Sequence, residues 1–558
     1  MMEADRFTLD ILREAFLAVA EEMFVSLQRT SQSPVVYEVL DFGVGLADAK
    51  GELVSQGNGV AGFLGPLGDA VQATRQRVTD LVPGDVVVTN DPYAGGGTHL
   101  SDVAMVRPIF VDGELVAFAA AKAHWTDVGG RDPGSWSSST ISVYQEGLQM
   151  PFVRAWRGGR LDNDIVAMIK ANSRLPEQAL GDLMAQGACL EVAERRVQEL
   201  CARYGVATVT AAMHEVLERS ERLARATLAT LPHGVFEAED LADRDGVGNG
   251  PFAVRVQVEI GPDGVHCDFT GSHPEVPGPI NCTWSGLVSG VRTVFKAITD
   301  PVEPATDGWF RPLRITCPPG TLFTAQRPAP VAAYFESTEI ASDLVWKALA
   351  TACPDRLTAG HFLSVCSTSL SCRHPDTGED ALLVEPHAGG WGAGLDVDGE
   401  SGLVSVGDGE TYITPVEVAE QRYGILVERF ALNIQPAAGA GRHRGGCGLI
   451  REYRILSDEA ILTVAMGRHD APPWGVDGGA VGSPNYVEIE YVNGTTSEQF
   501  GKASAVTVHR GDLIRIVTGS GGGWGSPGGR IHDSIVADLR GGYLTLDVAN
   551  STYGYPPG

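Results

Sequence analysis

The sequence predicts a mixed α+β chain, one large subunit with an N-terminal α/β part, a helical hairpin region and a β-rich, glycine-rich C-terminal part. Apolar residues recur every three to four positions near the N-terminus and again, almost unbroken, over residues 161–229. Strand-like runs dominate from about residue 234 onward, and the 69 glycines point to many tight turns and irregular loops. Three sub-regions follow: 1–160 as the α/β part bearing the site, 161–232 as the helical part and 233–558 as a β-rich mixed part. There is no internal repeat and no low-complexity linker.

In residues 7–27, Leu9, Leu12, Phe16, Val19, Met23 and Leu27 form the apolar stripe of an amphipathic helix. Residues 35–46 alternate and are rich in Val, so they read as strands, with Asp41 among them. Residues 68–82 read as helix, and 84–89 as a turn and a short buried strand that stops at Asn90-Asp91-Pro92, because Pro92 cannot continue a ladder. The apolar run 115–121 reads as a central strand. Two or three long helices fill 161–229, with Pro176 suited to the first turn of one of them. Strands then dominate, with helical returns near 285–299 and 341–352. Glycine and β-formers are frequent from about 407 on, with Asn493-Gly494 as a hairpin turn.

The composition bounds the function. A chain of 558 residues with 43% hydrophobic and 20% charged residues is globular and buries a large core. A formal net charge of −28 excludes a nucleic-acid partner, which needs clustered Lys and Arg, and docking on anionic membrane. The opening residues lack a basic segment followed by an apolar run, and no apolar stretch reaches the roughly 18 residues of a membrane span. A cytoplasmic location is the expectation. Nine cysteines, odd in number and without a C-x-x-C, read as reduced, mostly buried thiols.

The chemistry concentrates in residues 90–102, Asn-Asp-Pro-Tyr-Ala-Gly-Gly-Gly-Thr-His-Leu-Ser-Asp. Three consecutive glycines admit conformations that side chains forbid and let a neighbour approach the main chain. His99 and Asp102 follow three apart, a nitrogen and an oxygen ligand that a helix or tight turn would place on one side. His124 ends the 115–121 strand and enters a glycine-rich loop, a common position for site residues. Spacing alone leaves two readings for each: a divalent-metal ligand, or a hydrogen-bonded structural residue.

These blocks resemble the hydantoinase B/oxoprolinase family. The resemblance rests on 90–102, on 124–130, on Pro133-Gly134-Ser135 with Gln145-Glu146-Gly147-Leu148, and on Asn172 through Gln178 with Gly181 through Gln186. Asp268-Phe269-Thr270-Gly271-Ser272, Gly278 through Asn281, Gly441 through Gly446 and Gly521 through Gly525 extend it over nearly the whole chain. It implies a subunit of an ATP-dependent hydantoinase, 5-oxoprolinase or lactamase, or of an acetone or acetophenone carboxylase. His99, Asp102 and His124 would then hold a divalent metal, manganese or zinc, with Asp41 as a fourth ligand. Trp125 departs from the family's frequent second histidine and puts in doubt any mechanism that needs an extra imidazole.

The resemblance further implies hydrolysis of a hydantoin, N-methylhydantoin, 5-oxoproline or related lactam, with ATP and Mg2+ at an A-type partner in a hetero-oligomer such as α2β2. Carboxylation of a ketone is the alternative. No G-x-x-x-x-G-K-[ST] motif is present, and residues 519–525 read as a β-turn cluster in preference to a phosphate cradle. Asp127 would orient a ligand or accept a proton, or else cap the turn before Gly129-Gly130. Glu146 is a candidate base or supporting carboxylate. Arg174 would meet an anionic substrate or form a structural salt bridge, and Arg442 and Arg444 would face a partner or lie in a solvated turn. His361, His387 and His469 have no spaced companions that suggest a second metal.

Overall fold

The computed structural model describes residues 5–63 and 65–556. Helix α1 (Arg6–Thr30) starts where the Asp5 carboxylate accepts the Phe7 and Thr8 amides, and it buries Leu12, Phe16, Val19, Met23 and Leu27 as the spacing predicts. The 35–46 reading needs correction. Pro34 opens a single-turn helix, α2 (Pro34–Tyr37), and Leu40 takes a positive φ of 63°. Strand β1 (Phe42–Asp48) begins only after Asp41, which therefore sits at a strand entrance.

The first sheet adds β2 (Leu53–Gln56), β3 (Val86–Thr89), β4 (Asp102–Val111), β5 (Glu114–His124), β6 (Val153–Arg157) and β7 (Arg160–Leu161). Its order is β2-β1-β5-β4-β3-β6-β7, with every pairing antiparallel. β4 and β5 form a hairpin across Asp112-Gly113, both at positive φ (50° and 85°), a two-residue turn whose twist suits the strands. Helix α3 (Pro66–Arg77) covers one face of this sheet. After α4 (Asn163–Asn172), helix α5 (Pro176–Tyr204) packs with α1 on the other face, and α6 (Val206–Leu228) follows a turn at Gly205.

Period-two alternation sorts the side chains. Ala117, Ala119, Ala121 and Ala123 of β5 join the core beneath α1 and α5, whereas Phe118 and Ala120 join the small cluster under α3. Lys122 and His124 of β5 share the α3 face, as does Asp102, two residues before Ala104 of β4.

The rest of the chain supplies three four-stranded sheets. β8 (Gly234–Ala242), β9 (Phe252–Gly261), β10 (Gly264–Asp268) and β11 (Leu313–Thr316) pair in the order β11-β10-β9-β8. They enclose a core with α7 (Trp284–Thr299) and α9 (Phe335–Leu349), while the short α8 (Asp307–Phe310) lies against α6. β12 (Ser367–Arg373), β13 (Asp380–Glu385), β16 (Glu459–Ala465) and β18 (Lys502–His509) make the third sheet. The fourth consists of β14 (Ile425–Asn433), β15 (Gly448–Ile455), β17 (Tyr486–Glu490) and β19 (Leu513–Val517), and it shares a core with the third. The class is mixed α+β, as the sequence indicates. None of the described helices is long and apolar enough to cross a membrane.

Residues 519–525 are not a turn cluster. They run as buried backbone bonded to distant chain: Gly521 donates to the Gly446 carbonyl (3.0 Å), Gly522 to Gly360 (2.8 Å) and Gly523 to Ala480 (2.9 Å). A Cβ on Gly521 would lie 2.0 Å from the Trp391 carbonyl oxygen, so glycine is required for this approach.

Candidate metal centre

Asp102 is the first residue of β4 and His124 the last of β5, and they are direct cross-strand partners. Antiparallel pairing thus places two candidate ligands side by side without help from any loop. His99 comes from the glycine-rich loop, whose last turn closes when the Asp102 amide donates to the His99 carbonyl (3.2 Å). The loop is held by buried Asn90, which donates to the Leu100 and Leu148 carbonyls (2.7 and 2.8 Å) and accepts the Met150 amide (2.7 Å). A Cβ on Gly97 would lie 2.3 Å from the Asn90 carbonyl oxygen, which explains at least one of the three glycines.

The ligand atoms of His99, Asp102 and His124 lie within 4.8 Å of one another, and all three residues are buried. His99 Nε2 is 3.2 Å from Asp102 Oδ1. The other ring nitrogen, His99 Nδ1, is 3.1 Å from the Ala332 carbonyl, to which it donates, so Nε2 is the nitrogen turned toward Asp102. Asp102 Oδ2 accepts from the hydroxyls of Thr98 and Tyr334 (3.1 Å for the latter), leaving Oδ1 toward the histidines. Buried Lys122 donates to Thr98 Oγ1 (2.8 Å) and stands 3.7 Å from Asp102 Oδ2. His124 Nδ1 is buried with no hydrogen-bond partner. An orphaned imidazole nitrogen beside a carboxylate and a second imidazole is a donor set that fits zinc or manganese.

Electrostatics match. Burial and then neighbouring His99 push the His124 imidazole down to about 4, so it is neutral at pH 7. Burial alone would raise the Asp102 carboxyl, but His99 and Lys122 outweigh it and hold it well below the ordinary range. Burial brings Lys122 down to about 8 against the pull of Asp102 and Asp41. Burial and the Asp102 charge push Asp41 well up and Asp408 to about 7.

The cluster lines a small chamber of about 50 Å³. Asp41 lines the same chamber, although its carboxylate is not among the atoms within 4.8 Å of one another. Its backbone is tied to the site, since its carbonyl accepts the His124 amide (3.0 Å). Tyr334, Phe335 and Asp408 also line the chamber, as do residues at the ends of β12 and β13. Sequence reasoning missed Tyr334, Lys122 and Asp408. Only Lys122 left a trace, as a lysine in an otherwise apolar strand.

Asp127 and Glu146 lie outside the chamber lining. Asp127 accepts from the Gly129, Gly134 and Arg174 amides and from the Arg174 guanidinium (2.9 Å). That makes the Arg174 contact a structural salt bridge. Buried Glu146 accepts from Thr140 Oγ1 (2.8 Å) and from the Val331 and Ala332 amides (both 3.0 Å). It thereby anchors the main chain just before the Ala332 carbonyl that orients His99, and burial raises its carboxyl to about 7.

Trp125 turns into the core beneath α5, where Nε1 donates to Gln186 (2.7 Å). Arg444 is buried against Asp538 (3.0 Å) instead of solvated, and Arg442 donates to the Leu395 carbonyl (2.8 Å). His361, His387 and His469 join no ligand cluster among the described residues.

A profile of the hydantoinase B/oxoprolinase family matches residues 5–527. The beta subunit of caprolactamase from Pseudomonas jessenii is 31% identical over 576 aligned residues, covering 99% of this chain and 96% of that protein. A protein of Pseudomonas sp. (strain NS671), named as the B-type component of a D-/L-hydantoinase, is 29% identical over 99% of this chain and 95% of its own length. The crystal structure of the ATP-dependent caprolactamase from Pseudomonas jessenii superposes with a TM-score of 0.91 at 29% identity, covering 100% of this chain and 97% of that one. The ordered sequence blocks, the shared fold and the profile match agree, and the chain belongs to the hydantoinase B/oxoprolinase family.

Proposed function

We propose that this chain is the metal-bearing B-type component of an ATP-dependent amidohydrolase that opens a hydantoin, N-methylhydantoin, 5-oxoproline or related lactam. The observation that carries the reading is the buried convergence of His99, Asp102 and His124 at one chamber. The names of the caprolactamase and hydantoinase relatives support an A-type partner, which would hold ATP and Mg2+ and phosphorylate the ring carbonyl oxygen.

A divalent ion bound here would lower the pKa of its water and polarise a carbonyl. His99, Asp102 and His124 would hold it, and Asp41 is the carboxylate available as a fourth ligand. Ala332 accepts from His99 Nδ1 and so turns Nε2 toward Asp102, and Thr98 with Tyr334 turns Asp102 Oδ1 inward. Asp408, in the same chamber and with a carboxylate engaged by no hydrogen bond among the described residues, is placed to take the proton that attacking water gives up. Glu146 acts through the Val331–Ala332 peptide and Asp127 through the 128–135 loop, as positioning residues.

The test is to purify the chain with its ATP-binding partner, measure bound metal, and screen hydantoins, lactams and ketones with and without bicarbonate. Stoichiometric zinc or manganese and ATP-dependent ring opening are expected. In His99→Ala and His124→Ala both should vanish while the partner stays bound. A complex that carries no stoichiometric metal would sink the proposal, and bicarbonate-dependent use of a ketone would redirect it to carboxylation.

A further inference from the structure

Glu339 is buried (2% exposed) one helical turn beyond Phe335 of α9, so it shares the helix face that Phe335 turns to the chamber. Its Oε1 accepts from the Ser405 hydroxyl (2.8 Å) and from the Gly407 amide (3.0 Å), which belong to the single turn that ends in Asp408. A Cβ on Gly407 would lie 2.4 Å from this oxygen, so glycine is what lets the carboxyl reach the backbone. The turn closes where the Asp408 amide donates to the Ser405 carbonyl (3.1 Å) and the Thr411 amide to the Asp408 carbonyl (3.0 Å). Asp408 and Thr411 line the chamber, and Glu339 stands behind them. Glu146 grips the backbone before the Ala332 carbonyl in the same manner.

The second carboxyl oxygen is different. Glu339 Oε2 is buried with no hydrogen-bond partner, a costly state for an ionised group. The leading charges that act on Glu339, Asp408 and then Glu336, are both negative. The cation beside Glu336 is spent, since Lys502 donates to Glu336 Oε2 (2.9 Å) and to the Met466 carbonyl (3.1 Å). Burial, and after it the Asp408 charge, raises the Glu339 carboxyl to about 8. A neutral acid keeps Oε1 as an acceptor and gains a donor at Oε2. Asp408 directly follows the amide that Oε1 holds, and its carboxylate accepts no hydrogen bond from the described residues.

We infer that Glu339 is a positioning residue: as a neutral acid it grips the 405–408 turn through Oε1 and donates from Oε2 to Asp408, holding that carboxylate ionised and aimed into the chamber. The inference rests on the reading above in which Asp408 takes the proton of attacking water. A hydrogen bond donated to the charged form favours that form. It therefore opposes burial and the Asp102 charge, both of which press Asp408 to stay protonated. Glu339 gives up no proton in the step. The water's O–H bond breaks, its proton ends on Asp408, and its oxygen goes to the carbonyl carbon.

Infrared difference spectroscopy on the metal-loaded complex with its ATP-binding partner tests the carboxyl pair without turnover. Wild type minus Glu339→Gln should show a protonated-carboxyl stretch at pH 7. That band should shift in an Asp408→Ala background, where its acceptor is gone. No band, or a band that ignores Asp408→Ala, overturns the inference. Turnover gives a second readout. Glu339→Leu, which lacks both oxygens, should lower kcat about tenfold with KM and bound metal little changed, part of the roughly 100- to 10,000-fold that a positioned general base contributes. Glu339→Gln, which keeps an acceptor and a donor, should recover most of that loss. In an Asp408→Asn background Glu339→Leu should cost less than about twofold more, because residues that act through one another are not additive. Gln as damaging as Leu, or losses that multiply in the double variant, overturns the inference, as does an Asp408→Asn that leaves kcat unchanged. Should Glu339→Leu fail to fold, the infrared band decides alone. If a metal-loaded, ATP-hydrolysing complex consumes no cyclic amide, the cyclic-amide reading falls, and the band still decides whether Glu339 holds Asp408.

Discussion

Tyr334 reaches Asp102 from 232 residues along the chain, and its hydroxyl is one of only two that hold Asp102 Oδ2. Its ring centroid also lies 5.0 Å from that of His99, so the phenol braces two candidate ligands at once. Tyr334→Phe keeps the ring and removes the hydrogen bond. We expect metal affinity to fall about tenfold, as for other residues that orient ligands, with an unchanged circular-dichroism spectrum. Competition with a chromogenic chelator measures this; unchanged affinity would mean that Thr98 alone sets the carboxylate. His361 poses a different residue-scale problem. It is fully buried, stacked on Trp391 at 4.6 Å, and neither ring nitrogen has a hydrogen-bond partner. Burial, with Arg468 adding to it, pulls its imidazole from 6.5 down to about 3. Between those two values the unfolded chain takes up a proton that the folded chain refuses, so stability falls as pH drops below about 6.5. His361→Phe should therefore leave stability at pH 7 unchanged or slightly higher and make the acid limb of a denaturation profile shallower. Some of that limb should survive, because His387 is depressed to about 4 in the same way.

Among the elements, the glycine-built backbone of 519–525 is the least tolerant of change. The Cβ of Gly521→Ala would press on the carbonyl of Trp391 at 2.0 Å, with no flexible side chain to yield. A loss of at least about 3 kcal/mol in chemical denaturation is expected, at the upper end for overpacking. Gly494→Ala, at a positive φ of 82° but with nothing within 4 Å, should cost only about 1 kcal/mol of backbone strain. Gly521→Ala behaving no worse than Gly494→Ala would show that this backbone can shift. The contrast also marks where sequence reading stops. Helices α1, α5 and α6 announce themselves because one face of each is buried and the apolar spacing repeats over many turns. Residues 35–46 misled because a run of valines satisfies strand alternation, while Pro34 and the positive φ of Leu40 decide the local path. In 519–525, glycine abundance is visible, but whether it serves turns or close packing depends on partners such as Gly360 and Gly446, far off in the chain.

For the molecule as a whole, the site is where the first sheet meets α9 and the third sheet, and its charges explain what an ion does there. His99 and Asp102 fall within one short motif and His124 pairs with Asp102 across a hairpin, so these three were legible; Tyr334 and Asp408 become neighbours only through the tertiary fold. Asp102 raises both Asp41 and Asp408, while buried Lys122 is acted on by Asp102 and Asp41. A divalent cation would balance these carboxylates. Burial and the neighbouring Asp102 charge raise the carboxyls of Asp41 and Asp408. An ion that binds the folded chain alone stabilises it by about 2.7 kcal/mol at a concentration 100 times its Kd. Chelation should then lower the melting temperature by a few degrees in scans at matched rate, and zinc or manganese should restore it. His124→Ala, which lacks one ligand, should melt near the chelated protein and ignore the chelator. If chelation demonstrably strips the metal and wild-type melting does not move, the ion does not engage the buried ligands of the folded state. The chamber would then owe its order to the hydrogen bonds of Thr98, Tyr334 and Ala332 alone.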